Sequence, residues 1–135
     1  MKASELRVGN WIYRSFTKED VKILGINAYE TVSDGIVNSL SFKNGINLYC
    51  ENISVLKPIP LTEEWLLKFG FEKMNRTIYN SPNSKIFSLN GFFIKHYKRL
   101  DIDYYECKIG YVKLEYVHQL QNLIFALTNT ELQTT

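Results

Sequence analysis

The sequence has few of the residues that cross-link, bend or break a chain: two Cys, three Pro and seven Gly in 135 residues. Cys50 and Cys107 stand far apart and form no CxxC motif, so neither a disulfide scaffold nor a zinc ribbon is expected. Both thiols are predicted to be buried and reduced. The scarcity of Pro and Gly argues against a long linker.

Long apolar runs are missing as well. The sequence has no stretch of about 18 consecutive apolar residues, which a membrane-spanning helix needs. The start, MKASELRVGNW (1–11), carries a lysine but no apolar run of the kind found in a secretory signal. These absences predict a cytoplasmic protein that makes no contact with a membrane.

Basic and acidic residues are nearly balanced, so charge of neither sign is in large excess. The formal net charge is +2, with 7 basic and 6 acidic residues before Pro58 and 9 basic and 8 acidic residues after it. Proteins that bind nucleic acid through bulk electrostatics carry a clearly basic module. The balance argues against such a module in either half of the chain and leaves only a local basic patch open.

Aromatic residues, by contrast, are plentiful at 14%, including nine Tyr and eight Phe, a composition that favours strands. In residues 1–57, short apolar or alternating segments are separated by the turn signals SDG (33–35) and NG (44–45). They predict about four or five strands. Gly25 is expected at a bend or bulge, and the lobe is expected to be a small SH3-like barrel or an open meander.

The segment KPIPLTEEWLLKFGFEK (57–73) predicts a short helix after this lobe. Thr62 is a suitable N-cap, and Glu63 and Glu64 suit the first turn because the helix dipole favours negative charge there. Gly70 is a suitable residue to end the helix.

Residues 71–115 return to short strand-like segments, among them TIYN (77–80), with turn signals at 80–84, 90–91 and 99–103. This pattern predicts an antiparallel sheet, followed by a helix at 116–128 and a fraying tail. We therefore predict an α+β fold with a β lobe at 1–57 and an α+β lobe at 58–135, where the last helix packs across the second sheet.

The common catalytic and ligand-binding motifs are absent from the sequence. It contains neither GxxxxGK[ST] nor GxGxxG, and its Cys and His residues are not spaced as zinc ligands. No cofactor and no metal is expected, and no catalytic residue is assigned. A small enzyme that uses His96 or His118 with Asp101, Asp103 or Glu115 remains an alternative, since acid–base catalysis needs such groups within hydrogen-bond reach.

The segment GFFIKHYKR (91–99) is the best candidate for nucleic-acid contact. In a strand, alternate residues from Phe93 to Arg99 share one face, which combines positive charge with aromatic surface for base stacking. The candidate contact residues are Lys95, Tyr97, Lys98 and Arg99. A solvated strand end with ordinary surface lysines accounts for the same residue pattern, so both interpretations stay open.

The segment YVHQLQNLIFAL (116–127) has the most regular helical pattern in the chain. One face is apolar and suits a core: Tyr116, Val117, Leu120, Leu123, Ile124 and Leu127. The opposite face carries His118, Gln121, Asn122 and Phe125. Either this second face packs inside the molecule as another buried layer, or it is an exposed contact surface for a protein partner or a second copy of the chain.

Three segments, ELRVGNW (5–11), PIPLTEEWLLKFGFEK (58–73) and YVHQLQNLIFALTNTEL (116–132), resemble a family of small bacterial proteins found in prophage-like or mobile-element regions. Members of that family often have ALTG where this chain has ALTN, and Asn129 can adopt the same left-handed conformation at a helix end. The resemblance implies a bacterial or phage origin and no particular activity. We predict a non-enzymatic interaction module, with nucleic-acid binding through the 91–99 strand as the alternative.

Overall fold

A computed structural model describes residues 1–74 and 84–135, except for the side chain of Arg99. The chain forms two compact units. Met1–Ile59 and Tyr116–Glu131 make up the first unit, and Pro60–Glu115 with Leu132–Thr135 make up the second. Each unit contains a mainly antiparallel sheet, and the described residues include helices as well. The α+β class predicted from the sequence is therefore confirmed.

The elements follow one another closely along the chain. The strands of the first unit are β1 (Trp11–Arg14), β2 (Glu19–Thr31), β3 (Gly35–Asn44), β4 (Asn47–Asn52) and β5 (Leu56–Lys57), with 3₁₀ turns at Ala3–Glu5 and Ile53–Val55. The second unit has helix α1 (Glu63–Lys68) and strands β6 (Glu72–Met74), β7 (Ser84–Leu89), β8 (Phe92–Arg99), β9 (Ile102–Cys107) and β10 (Val112–Leu114). Helix α2 (Val117–Thr128) belongs to the first unit. The predicted strand at 77–80 and, apart from Ser84, the predicted turn at 80–84 lie outside the described residues.

The sheet of the first unit has the strand order β4-β3-β2-β1-β5. The register between β2 and β3 shifts between Ile23 and Gly25, so the predicted irregularity at Gly25 is present. Gly35 and Gly45 have positive φ angles at the two tight turns, a conformation that glycine adopts without steric cost. No pairing between β4 and β5 closes this sheet in the part of the chain that the structure describes, so a closed barrel is not established.

Alternation along these strands builds the core of the first unit. The strands contribute Ile12, Val21, Ile23, Leu40, Phe42 and Leu56 to the buried apolar cluster, and Leu6, which follows the first 3₁₀ turn, completes it. Arg14 is also buried, and its Nε donates to Glu51 Oε1 at 2.8 Å while its guanidinium lies 4.6 Å from the Tyr49 ring centroid. A buried guanidinium needs this pairing, because an uncompensated charge in the interior is strongly destabilising.

Helix α2 differs from its predicted place. The predicted lobes assigned the helix to residues 58–135, whereas the compact unit that contains it is the first one. The backbone N–H of Val117 donates to the Ile59 carbonyl at 2.9 Å, and Asn129 ends the helix in the left-handed conformation expected for it. Periodicity identifies an amphipathic helix but does not identify the surface on which it docks.

The second unit begins with the predicted short helix. The hydroxyl of Thr62 accepts a hydrogen bond from the Trp65 N–H at 3.4 Å, and Gly70 follows the helix with a positive φ, as predicted. Its sheet has the order β10-β9-β8-β7-β6. Asn90 and Gly91, both with positive φ, form the two-residue turn between β7 and β8 that the NG signal predicts.

The C-terminal tail is attached to the second unit, so the predicted fraying is wrong for its last residues. Leu132 is buried, and the Thr135 N–H donates to the Lys68 carbonyl at 2.8 Å. This bond satisfies a carbonyl group at the end of α1, which has no partner within the helix.

The two cysteines are both free, as predicted, but only Cys107 is buried. Cys50 is exposed on the edge strand β4, so its predicted burial is wrong. Among the described residues, no helix has the length and apolar character required to cross a bilayer.

Candidate functional site

One face of the second sheet gathers aromatic and lysine side chains from three adjacent strands. Because side chains alternate along a strand, Lys95 and Tyr97 of β8 share a face with their cross-strand partners Glu106 and Tyr104 of β9. Lys113 of β10 is the partner of Glu106 on the far side. We call this surface the aromatic–lysine face and include in it Phe93, Lys95, Tyr97, Tyr104, Glu106, Lys108, Tyr111 and Lys113.

The centre of the aromatic–lysine face is a stacked tyrosine pair. The rings of Tyr97 and Tyr104 have centroids 4.9 Å apart and planes inclined by 24°. The Lys95 ammonium lies 4.4 Å from the Tyr97 centroid, and the Lys113 ammonium lies 5.6 Å from the Tyr104 centroid. Each ring therefore has a cation within the distance at which cation–π attraction operates.

Lys108 completes the group from the turn after β9. Its Nζ donates to the Tyr97 hydroxyl at 3.4 Å, lies 3.7 Å from Glu106 Oε1 and lies 5.5 Å from the Tyr111 centroid. Burial lowers the pKa of Lys108, but the hydrogen bond to Tyr97 and the nearby negative charge of Glu106 outweigh burial and raise it overall. Lys108 is therefore a cation at neutral pH.

The face combines stackable rings with positive charge, although the charge is partly offset. Phe93 is 39% exposed and Tyr111 is 72% exposed. Lys113 also pairs with Glu115 at 2.9 Å, and Glu106 lies between Lys95 and Lys113 in the strand register. Proteins that bind single-stranded nucleic acid combine aromatic rings for base stacking with cationic side chains.

The structure brings together only some of the four predicted nucleic-acid candidates. Lys95 and Tyr97 lie on the aromatic–lysine face. Lys98 is paired in register with Asp103, so it belongs to the opposite face with His96. The side chain of Arg99 lies outside what the structure describes.

Sequence reasoning missed five residues of this face: Tyr104, Glu106, Lys108, Tyr111 and Lys113. The alternation in DYYECKIGYVK (103–113) places Tyr104 and Glu106 on one side of a strand, and this signal was available in the sequence. What the alternation does not show is the register between strands, which sets Tyr104 opposite Tyr97.

The second face of α2 makes contacts within the first unit. Gln121 Oε1 accepts from the Trp11 N–H at 2.9 Å, and Gln121 Nε2 donates to the Gly9 carbonyl at 3.0 Å. Asn122 Nδ2 donates to the Glu5 carbonyl at 2.7 Å. These are the contacts expected when this face forms a buried layer.

Phe125 and His118 also make contacts within this unit. The Arg7 guanidinium lies 3.5 Å from the Phe125 ring centroid, while His118 is 2% exposed and stacks on Tyr116. Burial lowers the pKa of His118, although the negative charge of Glu5 opposes the shift. A partner-contact role for His118, Gln121, Asn122 and Phe125 stays a prediction.

The enzyme alternative acquires one specific contact. His96 Nε2 lies 2.7 Å from Asp103 Oδ1, and the His96 ring stacks on Tyr105 at a centroid distance of 4.2 Å. Burial, together with the charge of Asp103, raises the pKa of Tyr105 to about 12, so its hydroxyl stays protonated at neutral pH. His96 and Asp103 lie within hydrogen-bond reach of each other, but a catalytic assignment also requires a substrate-binding group beside them.

No group of three or more His, Cys, Asp and Glu side chains suited to a metal ion occurs among residues 1–74 and 84–135. Asp101 lies in the turn between β8 and β9, and Asp103 lies in β9.

The first unit also has a surface groove of about 710 Å³ between the β1–β2 turn and the 3₁₀ turn at Ile53–Val55. Its lining includes Phe16, which is 90% exposed, and offers an apolar contact surface.

Comparisons with known proteins gave no match to a protein family, to a curated protein sequence or to a solved structure.

Proposed function

We propose that this protein is a non-enzymatic binding module whose aromatic–lysine face binds single-stranded nucleic acid. The observation that supports this most directly is the stacked pair of Tyr97 and Tyr104 with a lysine ammonium near each ring. Bases stack on such rings whatever their sequence, and the lysines are placed to meet the phosphates that flank a stacked base.

Stacking of a base on the Tyr97 ring is expected to be stronger than the cation–π contact that Lys95 makes with this ring. Base–aromatic stacking contributes about 1–3 kcal/mol per base, whereas an exposed cation–π contact contributes about 0.5–1 kcal/mol. A base can therefore displace Lys95 from the Tyr97 ring, and the flexible lysine stem lets the ammonium move to a phosphate. In a duplex the bases are stacked on one another, so single strands are the expected ligand.

The test is fluorescence anisotropy with a labelled single strand of about ten nucleotides and with the same sequence as a duplex. The single strand should bind more tightly, and Tyr97→Ala should weaken binding by about 1–3 kcal/mol. Lys95→Ala should weaken binding and reduce the salt dependence by about one phosphate contact.

Lys98→Ala provides the matched control, because it removes the same charge from the opposite face of the same strand. It should change affinity much less than Lys95→Ala. Undetectable binding at low salt, or equal effects of the two lysine variants, would contradict the proposal. Circular dichroism of each variant separates loss of binding from loss of fold.

We propose that the first unit is an SH3-like barrel, supported by the order β4-β3-β2-β1-β5 and by the 3₁₀ turn between β4 and β5. A structure in which this sheet is flat would contradict it.

From the motif resemblance we propose a cytoplasmic role in a prophage-like or mobile element. Neighbouring genes that belong to such an element would support this role, and their absence would contradict it.

A further inference from the structure

Glu106 is the acidic member of the aromatic–lysine face. It lies opposite Lys95 on one side and Lys113 on the other, and its side chain is 16% exposed. Its carboxylate accepts from the Tyr97 hydroxyl at 3.4 Å and lies 3.7 Å from the Lys108 ammonium. Both distances are long, since hydrogen bonds to a carboxylate are usually about 2.5–2.9 Å.

The loose contacts leave the carboxylate with capacity for further donors. An ionised carboxylate has roughly four lone-pair sites on two oxygens and accepts two parallel donors well. Glu106 Oε1 lies 3.4 Å from the Tyr97 hydroxyl, so a base that stacks on the Tyr97 ring with its hydrogen-bonding edge toward that hydroxyl would bring this edge close to the carboxylate. A base with suitably placed donors would then form shorter hydrogen bonds than the present ones.

Guanine has the edge that fits. Its N1–H and its 2-amino group are adjacent donors and can reach both carboxylate oxygens at once. Adenine and cytosine each place a ring-nitrogen acceptor beside their amino group, and thymine places carbonyl oxygens on both sides of its N3–H, so each would set an acceptor against a carboxylate oxygen. Only guanine among the four DNA bases offers two neighbouring donors.

We infer that Glu106 is a specificity-determining residue that makes the aromatic–lysine face prefer a strand with an unpaired guanine. This inference depends on the proposed single-strand binding and names the base that the site selects. A bidentate contact of this kind discriminates by roughly tenfold in affinity or more.

The experiment measures anisotropy with thymidine strands of about ten nucleotides that carry one central guanine, hypoxanthine, adenine or cytosine. The full-length protein should bind the guanine strand about tenfold more tightly than the adenine or cytosine strand. Hypoxanthine keeps the N1–H but lacks the 2-amino group, so its strand should have intermediate affinity. This series needs no variant and remains informative if a variant fails to fold.

Two charge-matched variants separate specificity from electrostatics. Glu115→Gln removes a negative charge that pairs with Lys113, so all strands should bind more tightly while the guanine preference persists. Glu106→Gln removes the same charge but should also abolish the preference. A guanine preference that survives Glu106→Gln overturns the inference.

The remaining outcomes distinguish this inference from the proposed function. Equal binding of all four strands overturns the role of Glu106 and leaves single-strand binding supported. Absence of binding to every strand overturns both.

Discussion

The guanidinium carbon of Arg7 lies 3.5 Å from the centroid of the Phe125 ring, and Arg7 also forms an ion pair with Glu131. An aromatic ring on the second face of α2 is thus covered by a planar cation of the same unit. Arginine suits this place because its flat guanidinium can stack on a ring while its N–H groups bind a carboxylate. The contact explains why an aromatic residue stands among polar residues on this face.

A double-mutant cycle tests this relationship. Arg7→Met and Phe125→Leu should each lower the free energy of unfolding, with a coupling of about 0.5–1 kcal/mol between them. Urea denaturation followed by circular dichroism measures it. The control cycle pairs Arg7→Met with Leu127→Ala, since Leu127 is 47% exposed, and should show no coupling. Equal coupling in the two cycles would contradict a specific contact.

Gln121 should be the polar residue of α2 whose loss costs most stability. Gln121→Met keeps the size of the side chain but removes the hydrogen bonds that Gln121 makes with the Trp11 N–H and the Gly9 carbonyl. A buried group left unsatisfied costs about 1–3 kcal/mol, so the free energy of unfolding should fall by at least that amount. Leu127→Ala, on the exposed side, should change it by about 0.5 kcal/mol or less. Similar losses in both variants would show that the amide contacts contribute little.

The folded protein should become less stable as the pH falls, because His118 is buried. Burial lowers the pKa of His118 in the folded protein, so the unfolded chain binds more protons as the pH drops below the ordinary value of 6.5. The contribution is fully present above pH 6.5 and is lost as the pH falls from there through the lowered folded pKa. His118→Gln should flatten this part of the stability curve, measured as urea midpoints between neutral and mildly acidic pH. An unchanged slope would exclude His118 as its source.

The two cysteines should react at different rates. Burial raises the pKa of the Cys107 thiol, which lowers its thiolate fraction, whereas Cys50 is exposed. Iodoacetamide should therefore modify native protein at Cys50 at least about tenfold faster than at Cys107. Peptide mass spectrometry assigns the sites, and urea should remove the difference. Rapid modification of Cys107 in native protein would contradict its burial.

Much of the local structure follows from short-range patterns. The hairpin turn at Asn90–Gly91, the cap at Thr62 and the left-handed end at Asn129 each depend on a few neighbouring residues. The alternation in GFFIKHYKR places Ile94 and His96 on the buried side of β8. These features are predictable because the chemistry that causes them is local.

The candidate site was predictable only in part. Lys95 and Tyr97 come from one strand and were identified together, whereas Lys108 and Lys113 reach the same tyrosines from outside that strand. Lys98 is adjacent to Tyr97 in the sequence, but the pleat directs it to the other face. Adjacency in sequence is a poor guide to a surface that is built across strands.

Within the described residues, the sequence by itself determined the two helices, most of the strands, the tight turns at Gly35, Gly45 and Gly91 and the amphipathic character of α2, because propensity, capping and alternation act over a few residues. Only the tertiary structure decided that α2 docks in the first unit, since this depends on Gln121 meeting backbone groups of Gly9 and Trp11 more than a hundred residues away. It also decided that Tyr104 lies against Tyr97, because strand register depends on the pairing of whole strands and not on any one of them.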